Sequence, residues 1–167
     1  SLDVDGGDEL AFHARRVLTG FPWYGIDLDE SNLPQEADRD AKVIDFNKGC
    51  YLGQETVARL DALGKVQRKL VTWGIGGGVP ARNAKLMAGE KAVARLTSVA
   101  GVETVPEESL AIWKDRIDSL PFELTSIAIG FARRSHFEPG AVARENPDSG
   151  LPNERSTGIQ GQVMEST

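Results

Sequence analysis

Leu10, Ala14, Val17 and Leu18 recur on one face of a 3.6-residue period, which predicts a first helix capped by Asp8 and ended at Gly20, before Pro22. Glu9 complements the positive end of that helix, and Arg15 and Arg16 read as a solvated last turn matched to its negative end. Residues 21–47 carry no sustained period. Trp23, Tyr24, Leu28, Leu33, Val43, Ile44 and Phe46 nevertheless make them too apolar for a free linker, so a packed irregular segment is expected. Residues 54–63 place Val57 and Leu60 on one face and predict a short second helix, stopped by Gly64.

From Lys65 the pattern changes to strands. Leu70–Trp73 reads as one, broken by Gly76, Gly77 and Gly78, and Lys85–Ala88, Gly89-Glu90 and Lys91–Leu96 read as a hairpin. Residues 125–132 and 141–144 supply later strands, joined through a turn at Phe137-Glu138-Pro139-Gly140. Leu110, Trp113, Ile117 and Leu120 share one side of a stretch opened by Pro106, which predicts an inserted helix able to cover one opening of a small barrel. From Glu145 onward Pro, Gly, Ser and charge alternate without period, and a mobile tail is expected. The expected divisions are 1–64, a β domain at 65–146 and the tail at 147–167 in an α+β chain.

Composition narrows the class. The 167 residues are 40% hydrophobic with a net charge of −6, which suits a folded globular chain. No apolar run approaches the ~20 residues of a bilayer span, and the acidic opening lacks the regions of a signal peptide, so no membrane association and a cytoplasmic or organellar compartment are expected. An acidic balance without basic blocks argues against direct nucleic-acid binding. One cysteine cannot hold an iron–sulfur cluster or a structural zinc alone, so no resident metal is expected. The chain lacks an initiating Met and runs quickly into a helix, so it is expected to be a fragment.

That cysteine, Cys50, sits in the run Asn47-Lys48-Gly49-Cys50-Tyr51-Leu52-Gly53-Gln54-Glu55, a glycine-rich turn feeding a helix. Lys48 and the helix start favour a thiolate, while Gly49 and Gly53 allow close backbone approach to a ligand. The alternative from chemistry alone is an inert packing thiol. His13 and His136 lie far from it in sequence and read as surface residues, which leaves a thiol–imidazole dyad little support. Asp3, Asp5 and Asp8 fail the spacing of a calcium loop, and the glycines at 74–78 fail that of a nucleotide loop. Arg133 and Arg134 read either as a solvated strand end or as partners for an acidic ligand tail. Glu36, within Leu33-Pro34-Gln35-Glu36, can accept hydrogen bonds from the N–H groups of a heterocycle.

Taken together, Lys48 through Glu55 with Arg59 four residues on resemble the K-G-C-Y-x-G-Q-E-x-x-x-R signature of the YgfZ-like folate-binding family. Arg16 through Pro22, Leu33 through Glu36, Gly89 through Ser98 and Ala132-Arg133-Arg134 resemble its flanking segments, so the likeness runs over roughly residues 10–144. Leu18 stands where the family's helix end often carries an acid, and Ala94 replaces a hairpin glycine. The resemblance implies that residues 1–64 are the end of an aminomethyltransferase-like folate-binding domain, followed by a small antiparallel β-barrel, with an N-terminal half of the same protein as partner. It implies tetrahydrofolate or a one-carbon derivative as cofactor, held by Lys48, Gly49, Tyr51, Gly53, Gln54, Glu55, Arg59 and Glu36, with Cys50 as the catalytic thiol. Iron–sulfur client or assembly proteins are the implied partners, including enzymes of tRNA modification. The compartment would be the cytoplasm, or a mitochondrial or plastid matrix in a eukaryote. A folate-dependent aminomethyl or methyl transferase is the competing implication.

Overall fold

The computed structural model describes residues 6–37, 66–145 and 158–165. Helix α1, Gly6–Leu18, buries Ala14, Val17 and Leu18, while Leu10, expected on the same face, is 61% exposed. The helix ends as its sequence predicts. Gly20 takes φ +65°, the Gly20 N–H donates to Val17 O at 3.1 Å and the Phe21 N–H to Arg16 O at 2.7 Å, the paired bonds of a left-handed helix stop.

Six antiparallel strands close a barrel: β1 Arg68–Gly76, β2 Lys85–Ala88, β3 Lys91–Gly101, β4 Ser126–Arg133, β5 Val142–Glu145 and β6 Gln160–Val163. Their order around it is β1-β4-β3-β2-β5-β6. Val71, Trp73, Ile75, Leu86, Leu96, Ala128 and Val163 fill the interior. Alternate residues of the same strands, Leu70, Ile127, Ile129 and Phe131, pack outward beneath α1. Because β1 and β4 are covered on both faces, they read as nearly continuous apolar runs.

Two expectations are corrected here. The inserted segment folds as two short helices, α2 Glu107–Ile112 and α3 Lys114–Asp118, divided at buried Trp113, whose φ −98° and ψ 7° leave the helical region. Its apolar side joins α1 on the outer face of the barrel, with Leu120 against Gly74 and Phe122 against Gly76, instead of covering an opening. The expected mobile tail contains β6, the strand that closes the barrel between β1 and β5. Trp73 fills the interior so completely that its neighbour must be small, and Gly161 supplies that space: a Cβ there would lie 3.2 Å from the indole and 2.9 Å from Ile75.

Strand β3 carries a bulge between Leu96 and Ser98, opposite Gly130 and Ile129 of β4. Gly130 makes the bulge possible, since a Cβ there would stand 2.6 Å from Arg95 O and 2.9 Å from Leu96 Cα, both backbone atoms that cannot swing away. Gly130→Ala is accordingly expected to destabilise the fold by about 1–3 kcal/mol, read as a lowered denaturant midpoint with an unchanged slope. An unaltered midpoint would show that the bulge tolerates a side chain.

Candidate functional site

The bulge aims two successive hydroxyls, Thr97 and Ser98, at one point on the outer side of the barrel. That point is the Asp27 carboxylate, brought in by the irregular segment after α1. Thr97 Oγ1 and Ser98 Oγ each lie 2.6 Å from Asp27 Oδ1. Arg16 Nη1 donates to Oδ2 at 2.7 Å, and the Trp23 N–H donates to the same oxygen at 2.9 Å. Arg16 also donates through Nη1 to Phe21 O at 3.2 Å and through Nη2 to Ser98 Oγ at 2.8 Å, and its guanidinium stacks 4.6 Å from the Trp23 ring centroid.

Both charges are buried: Arg16 is 3% exposed and Asp27 3%. Arg16, expected as a solvated end residue, is therefore a core cation, because the helix stop turns the chain back and brings Asp27 beneath it. Arg15 does meet solvent and pairs with Glu108 at 2.6 Å. His13 is half-buried, with Nε2 3.2 Å from Val99 O and Nδ1 3.2 Å from Arg16 Nη2. Burial raises the Asp27 pKa, but bonds from Ser98, Thr97 and the Trp23 amide, with the Arg16 charge, outweigh it and hold the carboxyl below its ordinary value. Four donors occupy about four acceptor positions on Asp27, which leaves no capacity for a ligand and makes the network a structural clamp joining α1, the loop and β3.

Glu36 lies in the 3-10 turn Pro34–Ala37 and is buried. Its Oε1 accepts from Arg68 Nε at 2.7 Å, and its Oε2 accepts from Asn32 Nδ2 at 3.1 Å and from the Leu33 N–H at 3.3 Å. Desolvation opposes its ionisation, yet these bonds and the Arg68 charge hold its pKa below the ordinary value, and Glu36 in turn raises that of Arg68. The pair borders an open cleft of about 870 Å³ whose lining includes Arg95, Phe131, Arg133 and Arg134. Arg133 and Arg134 thus stand beside Glu36, a grouping that spacing alone did not reveal. Arg68 was missed; its only signal was a cation at the first residue of a strand.

The remaining site residues named from the sequence, Lys48, Gly49, Cys50, Tyr51, Gly53, Gln54, Glu55 and Arg59, lie outside the described residues. Among the described residues, no group of three or more His, Cys, Asp or Glu side chains could hold a metal ion. No described helix is long and apolar enough to cross a membrane.

No family model matches the chain. Over 72 residues it is 38% identical to "Iron-sulfur cluster assembly factor IBA57 homolog, mitochondrial" of Pyricularia oryzae, covering 42% of this chain and 18% of that protein. Over 55 residues it is 46% identical to "tRNA-modifying protein YgfZ" of Colwellia psychrerythraea, covering 32% of this chain and 17% of that protein. The matches span less than a fifth of either relative's length. In fold it is similar to the glycine cleavage system aminomethyltransferase T of Bartonella henselae, with a TM-score of 0.66 at 15% identity, over 90% of this chain and 36% of that one. Over these stretches the chain is similar in sequence to proteins named for iron–sulfur cluster assembly and for tRNA modification, and its fold is similar to that of an aminomethyltransferase.

Proposed function

We propose that the protein carrying this chain is a tetrahydrofolate-binding factor that supports the assembly or repair of iron–sulfur enzymes. The observation that carries this reading is the run Lys48-Gly49-Cys50-Tyr51-Leu52-Gly53-Gln54-Glu55 with Arg59. Relatives named for iron–sulfur cluster assembly and for tRNA modification support it, and the mitochondrial label on the former favours a matrix compartment if the source is a eukaryote. Cys50 would present its thiolate to a client or its cluster, while Lys48, Gly49, Tyr51, Gly53, Gln54, Glu55 and Arg59 would hold the folate.

Glu36 fits the part of a pterin acceptor. It is ionised, buried and rigidly held, and its three donors leave about one acceptor position open for a ring N–H. Reduced folate, when bound, supplies a carrier for one-carbon groups. The fold of an aminomethyltransferase favours a second reading, a folate-dependent aminomethyl or methyl transferase, in which the same residues would position a substrate for transfer.

Titration of tetrahydrofolate into the full-length protein should give saturable binding; no heat change and no thermal shift would remove folate from the proposal. Cys50→Ser should keep that binding and the melting temperature, yet abolish rescue of iron–sulfur enzyme activity in cells lacking the native protein. Full rescue by the serine variant would take Cys50 out of the function. Measurable transfer of an aminomethyl group to folate would establish the transferase instead.

A further inference from the structure

We propose that the cleft beside Glu36 binds a compact polyanion, a small molecule bearing two or more phosphate or carboxylate groups. The inference stands on the charge and register of the outer barrel face and does not depend on folate binding. Strand pairing sets Arg68 of β1 directly opposite Arg133 of β4, and Lys85 of β2 directly opposite Arg95 of β3. Like charges at directly opposed positions repel and weaken a sheet. Here two such pairs line one concavity, joined by Arg134 just after β4. A fold that keeps this arrangement gains when an anion bridges the pairs.

Among the described residues, two acids temper the cluster without neutralising it. Glu36 takes Arg68 at 2.7 Å, and exposed Asp29 feels Arg68 and Arg95 at longer range. Lys85, Arg95, Arg133 and Arg134 make no ion pair among the described residues. Phe131 gives the cleft an apolar floor, with the Arg68 guanidinium 5.0 Å from its ring centroid. Guanidinium groups present paired N–H donors that match the oxygens of phosphate and carboxylate.

The size of the site favours a small ligand over a nucleic-acid backbone. Its volume of about 870 Å³ suits a metabolite. Four adjacent strands separated by about 4.8 Å confine the cations to about 14 Å. Taking these five cations from the chain's net charge of −6 leaves −11 for everything else, which repels a long polyphosphate chain beyond the cleft.

Tripolyphosphate and tetraglutamate peptide, each titrated into the full-length protein by calorimetry at low salt, separate a phosphate ligand from a carboxylate one. Saturable binding of either, weakened at least tenfold in the Arg95→Ala/Arg133→Ala variant and unchanged in Lys114→Ala on the far helical layer, supports the site. The double variant, freed of two like-charge contacts, should fold with an unchanged or higher melting temperature but lose the thermal shift that the anion gives the native protein. Equal binding by the native protein and the double variant, an equal loss in Lys114→Ala, or no binding of either probe would overturn the proposal. So would binding confined to transfer RNA.

Discussion

Asp27→Ala is expected to cost about 3–5 kcal/mol, a large share of the stability of a domain this size. The substitution removes the partner of a cation that is itself 3% exposed, and it leaves the Ser98 hydroxyl and the Trp23 amide without their acceptor, while Thr97 keeps Ile129 O at 3.1 Å. Arg16→Met should be nearly as damaging, because it leaves the opposite charge buried. The double variant Arg16→Met/Asp27→Ala should lose less than the sum of the two, since each single variant leaves one uncompensated buried charge and the double variant leaves none. Strict additivity in denaturant melts would show that the two charges do not share one clamp.

The same network fixes an acid limb. The folded-state pKa of Asp27 lies below its ordinary value of 3.8, so its ionisation stabilises the fold at neutral pH. That contribution is fully present above the unfolded pKa and is lost as pH falls through the lower folded value. Glu36, also depressed, adds an effect of the same sign across a neighbouring window. Native stability should therefore decline below about pH 4, and Asp27→Asn should flatten the decline while lowering the plateau. A variant whose acid limb matches the native one would assign the acid sensitivity to other groups.

The barrel is legible in the sequence where burial imposes a local rhythm. The strands at 68–76 and 126–133 are apolar on both faces, the Gly89-Glu90 turn sits between two short runs, and Gly140 at φ +88° ends the turn before β5. Strand β6 is not legible, because Gln160-Gly161-Gln162-Val163 is short and half polar. It is a strand because of distant facts, the bulk of Trp73 and the free edges of β1 and β5. Trp113 divides a helix that its spacing presents as continuous, since the indole must reach the core. The clamp fails to show for a related reason. Arg16, Asp27 and Thr97-Ser98 are unremarkable apart, and only a bulge, itself dependent on Gly130, turns both hydroxyls toward one carboxylate. Glu36 carries a sequence signal through its Leu-Pro-Gln-Glu setting, whereas the cationic register around it exists only once the strands are paired.

Removal of residues 158–167 is expected to leave the chain unable to hold a closed barrel. Val163 and Met164 are buried against Trp73 and the outer core respectively, and burial of two such side chains is worth about 3–6 kcal/mol. The loss does not stop there. The Met164 N–H donates to Thr72 O at 2.9 Å, the Val163 N–H to Ala141 O at 2.9 Å, and the Gly140 and Glu145 N–H groups to Val163 O and Ile159 O at 2.8 and 3.0 Å. Without β6 the paired edges of β1 and β5 face solvent as open templates for another chain, and the indole of Trp73 loses one wall. The truncated protein should melt far below the native one or appear in the insoluble fraction, with red-shifted tryptophan emission. Val163→Asp, which keeps the backbone ladder and buries an unpaired carboxylate, should reproduce most of the loss, whereas Glu165→Ala should not. A truncation that melts within a few degrees of the native protein would mean that β1 and β5 close the barrel without their neighbour.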